Sequence, residues 1–139
     1  MPYFMWKLED APIVVVSITG WVDSKSHFEM SRDVANLIAG VPGRIYRIND
    51  LSAARVHLVD MVNILSQVSK GWAGTASDPH MVTYMVMHHP NFFLGYASGS
   101  RYWPWARQVR ICRSMVSALA RARSDSGQPQ PITPDGLRV

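Results

Sequence analysis

Two clusters of side chains in this chain combine types that can do chemistry, and both stand where a strand should end. Asp50, Ser52 and Arg55 follow the strand-like stretch 44–49, bringing a carboxylate, a hydroxyl and a guanidinium within one short segment. His88 and His89 follow the apolar run Met81–Met87. Parallel α/β sheets bind ligands beyond the carboxyl ends of their strands, so Asp50, Ser52, Arg55 and His88 form a candidate polar site. Asp and Ser in such a position also bond their own backbone, the simpler use of the pair.

The spacing argues against catalysis. Adjacent residues of a strand point to opposite faces, so His88 and His89 do not converge on one metal ion, and no acid accompanies them at ligand spacing. Cys112 is the single cysteine, and nothing marks it as an activated nucleophile, so it reads as a small buried hydrophobe. Gly40, Gly43, Gly71 and Gly74 match neither phosphate-loop fingerprint. No catalytic set, metal or cofactor is expected, and a non-enzymatic role follows.

Two other features point to binding. Phe92, Phe93, Tyr96, Tyr102, Trp103 and Trp105 crowd a segment interrupted by Gly, Ser and Pro. Such a segment can form a partner-binding rim, wall a pocket, or plug the end of a core. From Pro79 to Ser124 there is no acid, whereas Arg101, Arg107, Arg110, Arg113, Arg121 and Arg123 all fall there. That asymmetry fits an anionic partner or arginines paired with acids of the other half. Met81, Met85 and Met87 can line an adaptable pocket or fill the core.

The elements that must position these groups follow from periodicity. Tyr3–Leu8 and Ile13–Thr19 read as a β-hairpin turning through Glu9–Pro12, with Gly20 ending the second strand. Asp23 and Ser24 can cap a helix, Ser26 and Glu29 have capping-box spacing, and Met30, Val34, Leu37, Ile38 and Val41 share its face. A strand at 44–49 and a loop at 50–55 precede a second helix with the stripe Leu58, Met61, Val62, Leu65 and Val68. Met81–Met87 reads as a central strand, Val109 and Ile111 as a last strand, and Met115, Ala118, Leu119 and Ala122 as a closing helix. The expected order is β-β-α-β-α-β-α-β-α: an α/β domain with a mixed, mostly parallel five-stranded sheet flanked by helices. It spans 1–123, followed by a disordered tail at 124–139 rich in Pro, Ser, Gly and Gln.

Composition sets the outer bounds. The 139 residues suit one domain, 47% are apolar, and the net charge of +4 permits an anionic partner without requiring one. One cysteine fits a reducing, cytoplasmic compartment. The N-terminus lacks a basic n-region and meets Glu9 and Asp10 early, unlike a secretory signal. No apolar run reaches the length of a membrane span.

In element order from Tyr3 to Arg123, and in Asp50-Leu51-Ser52 after the third strand, the chain resembles the STAS domains, the sulfate-transporter and anti-sigma-factor-antagonist family. The likeness is nearest to stand-alone bacterial SpoIIAA-like members, some grouped with Sec14-type lipid-binding folds. The resemblance implies a regulatory domain that acts by binding protein partners. In the antagonists a serine at the start of the second long helix is phosphorylated; here Ala54-Arg55-Val56-His57-Leu58 stands there, without a hydroxyl. Ser52 matches the structural serine of the motif.

Two readings result. The first is a STAS-like protein-interaction domain that also associates with itself as a homodimer, with Phe93, Trp103 and Trp105 in the interface. The second is a carrier or sensor of a small apolar or anionic ligand. Its pocket would be roughly 300 Å³ or more, roofed by Phe92–Trp105 and guarded by Arg101 or Arg107. A cryptic enzyme using Asp50 or His88 is a third possibility, and nucleic acid is not an expected partner.

Overall fold

Aromatic residues and Met fill the first apolar run and β-branched residues the second, and the two pair as the expected antiparallel hairpin: β1 (Tyr3–Lys7) against β2 (Ile13–Val22). The chain was analysed as a computed structural model, which describes residues 2–88 and 109–127. α1 (Ser24–Ile38), β3 (Ile45–Val56), α2 (Leu58–Val68), β4 (Met81–Val86), β5 (Arg110–Cys112) and α3 (Met115–Asp125) follow among the described residues. The sheet has the order β1-β2-β3-β4-β5, and every pair after the first is parallel. This is the mixed five-stranded α/β sheet expected. The helix expected between β4 and β5 lies outside the described residues.

Strand parity divides the core in two. Val14, Val16 and Ile18 of β2 and Ile45 of β3 pack with Met30 and Val34 of α1 and with Ile64 and Val68 of α2. Ile13, Val15, Ile48, Tyr84 and Val86 pack on the opposite face against Ala118 and Ala122 of α3. Over Ile13–Ile18 and Ile45–Asn49, β2 and β3 are covered on both sides, while their carboxyl ends reach solvent.

Sequence periodicity placed several boundaries differently. β2 runs through Gly20, whose φ of +72° is open to glycine, and ends at Val22 rather than Thr19. β3 runs to Val56, so Asp50–Arg55 is strand and not the expected loop. The reason is a β-bulge. Ser17 pairs with Asp50 and Thr19 with Ala53, so β3 advances three residues while β2 advances two. Asp50 Oδ1 closes the bulge by accepting from the Ser52 backbone N–H at 3.1 Å and from Ser52 Oγ at 2.6 Å. The extra residue shifts parity, and Ala54 and Val56 join Ile45 and Leu51 on the α1–α2 core.

The caps and stripes also differ in detail. Asp23 caps α1 by accepting from the Ser26 backbone N–H at 2.8 Å and from Ser26 Oγ at 2.9 Å, one register ahead of the expected Ser26–Glu29 box. In α2 the buried set is Met61, Ile64, Leu65 and Val68. Leu58 and Val62, expected in the core, are exposed because Ile64 completes the inward stripe in place of Val62. α3 continues to Asp125, two residues past the expected boundary, since Asp125 accepts hydrogen bonds from Tyr84 and Arg110. Residues 128–139 of the expected tail lie outside the described residues. Among the described residues no helix is long and apolar enough to cross a membrane.

Candidate functional site

Arg47 is the most unusual side chain of the interior. It stands in β3 between Ile45 and Asn49 on the face turned to α1 and α2, and it is 1% exposed. Its Nε donates to Asn49 Oδ1 at 2.7 Å, and Nη1 donates to the Gly74 carbonyl. Among the described residues no carboxylate comes within ion-pair distance of the guanidinium. Burial pulls its pKa down to about 10, and the charge of Asp78 works the other way. It therefore stays protonated at neutral pH. Asp78 is itself occupied, holding the Gly74 N–H at 3.0 Å and the His80 N–H at 2.9 Å. Buried charges are normally paired.

Arg47 faces a cavity of about 280 Å³ between the sheet and the two helices, toward the carboxyl ends of β2, β3 and β4. Ile18, Met30, Leu65, Val68, Met85 and Met87 supply apolar wall, and Arg47, Asn49 and His27 supply the buried polar groups. Burial, and after it the Arg47 charge, pushes His27 down to about 4, so the imidazole is neutral near pH 7. Its Nδ1 has no hydrogen-bond partner among the described residues.

His27 also lines a second cleft of about 280 Å³ with Phe28, Trp72, Ser31 and Gln67. The Ser31 hydroxyl and Gln67 Oε1 are likewise buried and unpartnered among the described residues. Gly74 closes this region from the α2–β4 connection. With φ of +81° it lies so near α1 that a Cβ would stand 2.0 Å from the Ser31 carbonyl oxygen. A larger depression of about 460 Å³ lies at the other end of β4, lined by Arg44, Asp78, Pro79 and Arg110.

The sequence-derived candidates separate. Arg55 lines the Arg47 cavity from an exposed position. Asp50 and Ser52 are spent on the bulge and do not line that cavity. His88 is exposed just beyond β4. Phe92, Phe93, Tyr96, Arg101, Trp103 and Trp105, together with Arg107, lie outside the described residues. Met85 and Met87 line the cavity while Met81 fills core. Cys112 is buried in the core on the α3 side. No group of three or more His, Cys, Asp or Glu side chains gathers among the described residues.

Sequence reasoning missed Arg47, Asn49 and His27. The signal available was position: a strand covered on both faces leaves even an arginine nowhere but inside.

A second surface lies at the same end of the sheet. Trp21, at the end of β2, stacks on His57, the residue that opens α2, with ring centroids 4.2 Å apart and planes 7° from parallel. Leu58 and Val59 continue this surface and are 64% and 71% exposed.

Solved structures share this fold. An anti-sigma factor antagonist from Mycobacterium paratuberculosis superposes with a TM-score of 0.56 at 15% identity, covering 88% of this chain and 93% of that one. An uncharacterised protein of the DUF3478 family with a SpoIIAA-like fold, from Shewanella loihica, gives 0.55 at 12% identity, covering 85% and 90%. The fold is STAS-like. No family model matches the chain, and no curated protein matches it. The STAS-like fold accounts for the element order.

Proposed function

We propose that this chain is a non-enzymatic regulatory domain of STAS type that binds a protein partner through the Trp21–His57 end of its sheet. The observation that carries the reading is the run of exposed apolar side chains there, Trp21 with Leu58 and Val59. Large apolar groups clustered on a surface and anchored by a tryptophan are typical of interface centres. The anti-sigma factor antagonist among the structural neighbours supports a protein partner. The first turn of α2 reads Leu58-Val59-Asp60, so partner exchange in this chain does not use a phosphorylated hydroxyl at that turn. The same surface serves self-association as a dimer, and the single cysteine suits a cytoplasmic setting.

The test is mutational. Trp21→Ala and Val59→Asp should abolish cross-linking to the partner and lower the dimer fraction in native mass spectrometry, with the thermal midpoint unchanged. Association untouched by both substitutions removes this surface from the reading.

The second reading, a carrier or sensor of a small ligand, is favoured by one observation: the cavity built around Arg47 and His27. Its volume is close to the lower limit of ordinary ligand pockets.

A further inference from the structure

A guanidinium that is 1% exposed and faces an apolar cavity, with Asp78 acting on it only from beyond ion-pair reach and no acid in direct contact among the described residues, has room for a direct counter-ion. From this we propose that the Arg47 cavity binds a short amphiphilic monocarboxylate, its headgroup on Arg47 and its hydrocarbon chain between the sheet and α1–α2. The inference rests on the carrier or sensor reading and gives it a ligand class.

Three properties select the class. Charge comes first: the cavity holds one buried cation, since His27 is neutral and Arg55 sits at an exposed position. One guanidinium matches one carboxylate, in a charge-assisted and frequently bidentate pair, whereas a phosphate dianion would keep a charge uncompensated in an apolar surround. Polarity comes second. Ile18, Met30, Leu65 and Val68 offer hydrocarbon contacts, and Met85 and Met87 adapt to a chain of variable shape. Size comes third. About 280 Å³, at roughly 30 Å³ for a water-sized heavy atom, holds about nine such atoms. That is close to the ten heavy atoms of an eight-carbon acid and far below the size of a phospholipid. Asn49 already holds Nε, so the ligand would meet the remaining face of the fork. His27, with Nδ1 unpartnered, offers a neutral hydrogen bond beside the headgroup.

The experiment is calorimetric titration of the full chain at neutral pH with octanoate and, separately, with 1-octanol, which has the same chain and no charge. Octanoate should bind at least ~10-fold more tightly than octanol. Asn49→Asp sets a carboxylate against Nε in the native geometry and gives Arg47 an internal counter-ion. It should weaken octanoate by a similar factor, leave octanol unchanged and keep the thermal midpoint. Arg47→Met should reverse the preference; Asn49→Asp carries the test if Arg47→Met does not fold. Equal binding of the two probes, or octanoate binding indifferent to Asn49→Asp, overturns the monocarboxylate site while the carrier reading stands. Binding of neither probe overturns both.

Discussion

His27 holds a proton more weakly than a solvated histidine because its ring is buried and Arg47 repels the added charge. Unfolded, the same residue titrates near its ordinary 6.5, while in the folded protein it does so near 4. Between those values the unfolded chain binds more protons, so stability rises with pH across that window. The contribution is fully present above 6.5 and is lost as pH falls toward 4. Acidification through this range should therefore remove on the order of 3 kcal/mol. His27→Gln should flatten the thermal midpoint between pH 4 and 6.5 relative to the parent chain. Parallel curves would assign the acid sensitivity to carboxylates instead. Neither His27 nor Arg47 was legible as a site residue, because the sequence pattern shows where a residue lies along an element and not which side the neighbouring elements cover. His27 stands three residues before Met30 and seven before Val34, on the same stripe, and that spacing does not show that β3 and the α2–β4 connection face it.

At the scale of elements, the three helices and the hairpin were readable, since each depends on local spacing alone, though the α2 stripe included Leu58 and Val62 and missed Ile64. The bulge was not, because it is a relation between two strands: Asp50 and Ser52 look like loop residues until β2 is set beside them. Gly74 was invisible for a similar reason. Its role is a close approach of the α2–β4 connection to the backbone of α1. Gly74→Ala would force a Cβ against the Ser31 carbonyl and strain a left-handed φ, destabilising by ~3 kcal/mol or more. The expected result is a thermal midpoint lower by about 10 °C, together with loss of the Arg47–Gly74 hydrogen bond. A midpoint within about 2 °C of the parent would show that the connection yields easily.

On the scale of the whole molecule, α3 covers one face of the sheet while α1 and α2 cover the other, and α3 is fastened by polar contacts at its last turn. Asp125 accepts from the Tyr84 hydroxyl and from Arg110, and its carbonyl accepts from Tyr46. Burial, and then the Asp125 hydrogen bond, raises the Tyr84 pKa, so the phenol stays protonated and serves as a donor. Asp125→Ala should destabilise by about 1–2 kcal/mol and speed amide exchange in α3 before the rest of the sheet. Uniform exchange across the molecule would mean that α3 is not the weaker face. This fastening was hidden in sequence, where Asp125 stands among tail-like Ser and Gly, 41 positions from its tyrosine.

The bulge in β3 also bears on how such a chain can vary over evolutionary time. Replacing Leu51, Ser52 or Ala53 alters one side chain, and deleting any one of them removes the bulge while keeping the parity, because Leu51 and Ala54 share a face across one extra residue. Ala54 and Val56 would still face the core. An inserted residue is the change that would turn them outward, so homologues can lose a residue from this stretch more freely than gain one.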